Sequence, residues 1–191
     1  MSQWKRMPNS KIILGFAGLM ASGKGTAAKY LAERHGATTH RFSTMLRDAL
    51  DRFYLTHTRD NLIKISEIIR GTFGEDTMAR TMAKDVENDT APLIVVEGIR
   101  RLADIEYLKK LPNFVLVEIF ADIKIRHARL NARRENPDDA TKSFAQFAAE
   151  HERSTELTIL DVVQFAAERI DNNGTVAELE SALDRLVKKY T

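Results

Sequence analysis

The sequence predicts a three-layer α/β domain with a central parallel sheet of about five strands and helices on both faces. Three observations carry that expectation. Strand-like and helix-like patterns alternate from Lys11 to the C-terminus. Leu93–Val96 is a continuous apolar run ending at Glu97, the pattern of a strand covered on both faces. The apolar run Ile12–Ala17 leads straight into a glycine-rich loop and then a helical pattern, the opening of a βα unit.

Each element follows in order. Ile12–Ala17 is the first strand, and a helix is expected from about Lys24 to His35. A short strand is expected at about Ala37–Phe42, then helices at roughly Ser43–Leu55, Asp60–Thr72 and Gly74–Asn88. In the middle helix, Leu62, Ile65, Ile69 and Phe73 recur at helical spacing and are expected to face the core. Pro92 opens the strand ending at Glu97, and a helix from about Leu102 stops before Pro112. Phe114–Phe120 is the next strand, and an Arg-rich helix spans about Asp122–Arg134. Glu135–Asp139 breaks the pattern, Ser143–Arg153 is helical again, and Asp161–Ala167 precedes a short strand near Arg169–Asp171. Asn172-Asn173-Gly174 is a turn. Thr175 then starts an amphipathic helix with Leu179, Leu183, Leu186 and Val187 inward.

The chain has 191 residues, enough for one α/β domain with a substantial core. Residues 1–10 read as a short tail and residues 11–191 as the domain. The crossover from the second strand to Leu93 takes about fifty residues, against the roughly dozen a minimal crossover needs. That excess, residues 43–90, reads as a wall facing a substrate. Net charge is +2, from 29 Lys and Arg against 27 Asp and Glu. That balance argues against a nucleic-acid coat or a membrane-surface protein. There is no cysteine, which excludes disulfides and thiolate metal sites and fits a cytoplasmic location. No apolar run approaches the ~20 residues of a membrane span. The five histidines make no recognisable metal-ligand spacing. Nothing in the sequence sets an oligomeric state.

The motif with most chemistry is Gly18-x-x-x-x-Gly23-Lys24-Gly25-Thr26 between strand and helix. Glycines let backbone N–H groups turn inward around phosphate oxygens without Cβ clashes. The helix start adds unpaired N–H groups and the positive end of its dipole. Gly18, Ala21, Ser22, Gly23, Lys24, Gly25 and Thr26 are therefore the expected nucleotide-phosphate contacts, with Lys24 as a charge for the β- and γ-phosphates. The motif ordinarily places Ser or Thr directly after the lysine to reach Mg²⁺. Gly25 stands there instead and Thr26 comes one later, which points to coordination through water.

Two further features point to phosphate chemistry. Glu97 ends a buried strand, where a carboxylate is costly unless paired or bound to metal. Facing the loop, it can organise Mg²⁺-bound water. Arg126, Arg129 and Arg133 share one helical face by their spacing of three and four. Three such cations repel one another unless anions lie between them.

The Gly-Lys-Gly-Thr loop resembles the adenylate kinase group of nucleoside monophosphate kinases, which implies a P-loop fold. Phe42-Ser-Thr-Met-Leu-Arg47 is similar to the segment whose arginine clamps the acceptor phosphate there, which implies that role for Arg47, with Ser43 beside it. The family's Gly-Asp is missing from this segment, so the alignment of Ser43 and Thr44 stays open. Glu97-Gly-Ile-Arg-Arg101 looks like Asp-Gly-Phe-Pro-Arg, which places Arg101 at the family arginine, with Arg100 as the alternative. Arg129 and Arg133 match the Arg-x-x-x-Arg entering the family's lid, where these side chains grip the transferred phosphate; residues 134–142 would be a short, metal-free lid. Asn172-Asn173-Gly174-Thr175 is similar to the loop near the ATP base in dephospho-CoA kinases, which implicates Asn173 and Gly174. Thr175 as a plain helix N-cap explains the same residues. Arg70–Asp76 with Glu97–Arg100 resembles an archaeal family of adenylate-kinase-related proteins, a likeness running from about Ile12 to Leu183.

The resemblance implies ATP- and Mg²⁺-dependent phosphoryl transfer to a small phosphorylated acceptor, a nucleoside or deoxynucleoside monophosphate. The alternatives are a dephospho-CoA kinase, with Asp48 as candidate base, and a nucleotide-binding ATPase or switch without an acceptor.

Overall fold

The computed structural model describes residues 11–133, 143–151 and 154–191. The tail expected at 1–10 and the lid expected at 134–142 fall outside the described residues. Five strands form one sheet: β1 (Ile12–Ala17), β2 (Thr38–Arg41), β3 (Leu93–Glu97), β4 (Phe114–Phe120) and β5 (Glu168–Asp171). Their order is β2-β3-β1-β4-β5, and every pair is parallel. The predicted fold class is therefore the observed one.

Every residue of β1 and β3 is buried, because helices cover both faces. Side chains alternate between the layers. Leu14, Phe16, Val95 and Val117 pack with Ala28 and Leu31 of α1 (Lys24–His35) and Leu179, Leu183 and Leu186 of α9 (Val176–Tyr190). Ile13, Ala17, Ile94 and Val96 pack on the other face with α2 (Phe42–Arg52), α4 (Thr77–Asn88), α5 (Leu102–Glu106) and α8 (Ser154–Val163). Between α2 and α4 lies α3 (Arg59–Phe73), and α6 (Ile123–Arg133) and α7 (Phe144–His151) follow β4.

The four residues of α9 expected inward are all buried. Its N-cap is a capping box: the Thr175 hydroxyl accepts from the Glu178 N–H, while the Glu178 carboxylate accepts from the Thr175 N–H. Leu62, Ile65 and Ile69 of α3 pack against the second core layer as expected. Phe73 does not; it ends α3 and is 66% exposed. Phe73 is the last residue of the helix, and Gly74, its C-cap at φ +111°, turns the chain away directly after it. The helix expected at 161–167 is instead the C-terminal end of α8, which stops at Val163.

The edge strand β2 is anchored by one carboxylate. Asp89 accepts from the Thr38 hydroxyl at 2.6 Å and the Ala91 N–H at 2.8 Å, and its Oδ2 lies 2.7 Å from His40 Nε2. Lys11 Nζ donates to the carbonyls of Val86, Glu87 and Asp89 at the α4 C-terminus, where a cation also complements the helix dipole. Burial pushes the Asp89 carboxyl up, but Thr38, Ala91 and His40 outweigh it and hold the group below the usual carboxylate range. A depressed folded pKa means stability present above the unfolded value and lost as pH falls through the folded one. Asp89→Ala should therefore cost about 1–3 kcal/mol at neutral pH, measured by urea unfolding. The gap from the parent should shrink at acid pH; a constant gap would refute the assignment.

Candidate active site around the phosphate loop

The loop between β1 and α1 sits at the C-terminal edge of the central strand, next to the ends of β3 and β4. It closes in a left-handed conformation at Ala21 and at Gly23, which is the N-cap of α1. No side chain caps this helix and no acidic residue occupies its first turn, so its leading N–H groups and positive dipole end face the loop. Lys24 Nζ donates to the carbonyls of Gly18 at 2.6 Å and Leu19 at 3.0 Å, placing its charge across the loop mouth. Thr26 is exposed on the first turn of α1, and Ser22 is buried.

Two residues outside the motif lock the loop from behind. Asn172, 4% exposed, donates its side-chain amide to the Ser22 carbonyl at 2.8 Å. Arg126, 3% exposed, bridges the Ala121 carbonyl at 2.9 Å and the Met20 carbonyl at 3.2 Å. Arg126 therefore does not share a phosphate-facing surface with its helix neighbours. A buried guanidinium must spend its donors on acceptors nearby, and two of those here are backbone carbonyls. Sequence reasoning missed Asn172; its place directly after the last strand, next to Asn173, was the available signal.

Arg129 turns toward the same corner. Its Nη2 donates to the Gly174 carbonyl at 3.2 Å, while its buried Nη1 has no partner among the described residues. Asn173 Oδ1 accepts from the Asp122 N–H at 2.7 Å. The 172–174 turn thus joins the phosphate loop, β4 and α6. The side chain of Arg133 lies outside the described residues.

Glu97 is 7% exposed and pairs with Arg41, whose Nη2 lies 3.0 Å from its Oε2. The two are aligned in the β2–β3 register and end their strands together. A Cβ added at Gly25 would lie 3.8 Å from both atoms, so this pair borders the first turn of α1. Arg41 was not singled out from the sequence; its parity with Glu97 emerges only from the strand register.

Arg47 is exposed and Ser43 half-buried on α2. The Arg100 and Arg101 N–H groups both donate to the buried Asp104 carboxylate, which fixes the turn into α5. Burial pushes Asp104 above the usual carboxylate range. The Arg101 guanidinium lies 3.5 Å from Glu75 and beside Arg70, whose own pKa is lowered by burial and by Arg101. The two guanidiniums are balanced there by Glu75, Asp104 and Glu67. On the other side of α2, Asp48 lines a groove of about 480 Å³ with Arg41, Thr44, Met45 and Asp85.

The Mg²⁺ that such a loop implies is compatible with these residues. Glu97 is a hard oxygen donor, and Gly25 leaves room beside it for water. No group of three or more His, Cys, Asp or Glu among the described residues would cage a metal. That suits an ion held largely by nucleotide phosphates and water.

A family model described as an AAA domain matches residues 17–145. The chain belongs to the AAA domain family. The match begins at the end of β1 and spans the loop, Glu97 and Arg129. A UPF0200 protein of Methanosarcina barkeri is 26% identical to this AAA domain protein over 180 residues, covering 93% of this chain and 95% of the relative. A UPF0200 protein of Hyperthermus butylicus is 25% identical over 186 residues, with coverage of 95% and 96%. Among solved structures, a shikimate kinase from Bacteroides thetaiotaomicron superposes with a TM-score of 0.61 at 17% identity, covering 93% of this chain and 97% of that one. A shikimate kinase from Acinetobacter baumannii in complex with shikimate gives a TM-score of 0.57 at 17% identity, covering 95% of each. At such identity the likeness concerns the fold, which is that of the P-loop kinases. No described helix of this AAA domain protein is long and apolar enough to cross a membrane.

Proposed function

We propose that this protein is an ATP- and Mg²⁺-dependent phosphotransferase whose acceptor is a small phosphorylated molecule, a nucleoside or deoxynucleoside monophosphate. One observation carries the reading: the uncapped α1 N-terminus and Lys24 face the same sheet edge as Glu97 and as arginines from other elements. Phosphoryl transfer needs little covalent help from a protein; it needs positioning and cations around non-bridging oxygens.

In this reading Gly18–Thr26 hold the donor's phosphates, and Lys24 leaves the loop carbonyls for the β/γ bridge. Glu97 and Thr26 hold Mg²⁺ through water. When bound, Mg²⁺ neutralises charge on the β- and γ-oxygens. Arg47, Arg101 and Arg100, with Ser43, position the acceptor. Arg129 and Arg133 stabilise the transferred group, with 134–142 as a short lid excluding water. Asn173 and Gly174 lie near the donor's base. A monophosphate is already an anionic nucleophile, so the reading requires no general base. The enzyme works in the cytoplasm, without nucleic acid.

A hydroxyl acceptor is the second reading, favoured by Asp48 in the groove beside Arg41. A carboxylate there could act as base for the ribose hydroxyl of dephospho-CoA or for an alcohol such as shikimate. The test is ADP formation from ATP and Mg²⁺ against every ribo- and deoxyribonucleoside monophosphate, dephospho-CoA and shikimate. Turnover that depends on one or a few monophosphates is the expected result. Turnover with a hydroxyl acceptor alone would move the assignment to the second reading. Equal ADP release with and without every acceptor would leave an ATPase or switch.

A further inference from the structure

We infer that Arg41 is a further phosphate-contacting residue of this site, held in reserve by Glu97 and released when a metal–nucleotide complex takes over that carboxylate. The inference rests on the phosphotransferase reading and names a cation that the sequence motifs do not contain.

Arg41 occupies an unusual position. It ends β2 in register with Glu97 at the end of β3, so both side chains emerge at the sheet edge that carries the phosphate loop. Its Nη2 donates to Glu97 Oε2 at 3.0 Å, its one hydrogen bond among the described residues. A guanidinium has five N–H donors, so this bond leaves most of its capacity for another anion. The partners differ in environment: the Glu97 side chain is 10% exposed and that of Arg41 is 49% exposed. The carboxylate is anchored while the guanidinium has room to turn.

Gly25 explains why the cation fits there. In this motif a hydroxyl-bearing residue ordinarily follows the lysine and reaches the metal. A Cβ at residue 25 would stand 3.8 Å from both Arg41 Nη2 and Glu97 Oε2, an ordinary contact, so a side chain is sterically allowed. Glycine instead leaves the gap beside the α1 N-terminus open, bordered by Arg41 and Glu97. A cation next to those leading N–H groups meets them only productively when an anion lies between. A buried carboxylate stripped of its cationic partner is costly. Without nucleotide, Arg41 supplies that charge. With it, the metal's charge and bound water serve Glu97, and a small side-chain rotation brings the guanidinium onto phosphate oxygens.

Competition of this kind has a signature that a merely structural ion pair lacks. Removing Arg41 frees Glu97 for metal, so the metal requirement should fall while phosphate stabilisation is lost. The experiment uses the full chain as the parent, Arg41→Gln and Arg41→Lys, each first checked by thermal unfolding. Calorimetric titration with ADP across a Mg²⁺ series, and electron paramagnetic resonance with Mn²⁺ and ADP, report binding without turnover. In Arg41→Gln the metal concentration for half-maximal ADP binding should drop about threefold or more, in keeping with loss of a partly exposed ion pair. Arg41→Lys, which keeps a charge beside Glu97, should stay near the parent value. In a Glu97→Gln background, Arg41→Gln should no longer shift the metal requirement. A folded Arg41→Gln protein with an unchanged or raised metal requirement would overturn the inference. So would an identical shift in the Glu97→Gln background. Phosphoryl transfer to the acceptor identified by the panel should fall at least about tenfold in Arg41→Gln. If the parent transfers phosphate to no acceptor, the phosphotransferase reading fails, whereas the metal competition is decided by the binding data alone.

Discussion

Lys24→Met should lower phosphoryl transfer about 10²–10³-fold, the scale of losing one preorganised donor from a transition state. Methionine retains the length and packing of the side chain but has no charge or N–H to offer. The ammonium lies on the Gly18 and Leu19 carbonyls, at the mouth of the loop and within reach of any phosphate held there. The same substitution leaves those carbonyls without this donor, at roughly 1 kcal/mol or less for each that water can reach. A small fall in thermal stability should therefore accompany a large fall in turnover. Measuring both separates the two effects. Turnover that survives within a few-fold would remove Lys24 from the chemistry. A collapse of stability as large as the loss of activity would assign it a structural role instead.

Gly23→Ala should damage both stability and nucleotide binding. Gly23 has φ +106°, a conformation L side chains rarely adopt. An added Cβ would also stand 2.1 Å from Asn172 Nδ2, so the amide that locks the loop would be expelled from its bond to the Ser22 carbonyl. Backbone strain of about 1–3 kcal/mol combines with about 1–3 kcal/mol for a buried polar group deprived of its partner. We expect a fall in stability of several kcal/mol by these combined costs, with nucleotide binding lost at temperatures where the chain remains folded. Urea unfolding and ADP calorimetry check the two parts. Adding Asn172→Ala removes the clash but not the strain at φ +106°, so the double variant should regain only part of the stability. Full recovery would show that the amide, and not the backbone, makes glycine necessary.

These effects also show which parts of the molecule were legible in its sequence. The strand boundaries of β1 and β3 match their apolar runs, because a strand buried on both faces leaves no room for alternation. The loop was legible for a similar reason: its backbone geometry requires glycines at set spacing next to a helix start. Phe73 misled because helical periodicity reports a face, while exposure depends on whether a neighbouring element extends far enough to cover it. Arg126 misled because spacing places side chains on a helix but does not say where the nearest acceptors lie.

The sequence by itself thus determined the layer order, the phosphate loop and the presence of a carboxylate at the end of a central strand. These are written in local patterns, where each residue's neighbours along the chain decide its conformation. Tertiary structure alone decided that Asn172 fastens the loop, that Arg126 is consumed as scaffold, and that Arg41 stands against Glu97. Each pairing joins residues more than fifty positions apart or from different elements. Register across the sheet brings Arg41 to Glu97, and the packing of α6 and of the turn after β5 against the phosphate loop brings the other two pairs together; no local pattern in the chain encodes either.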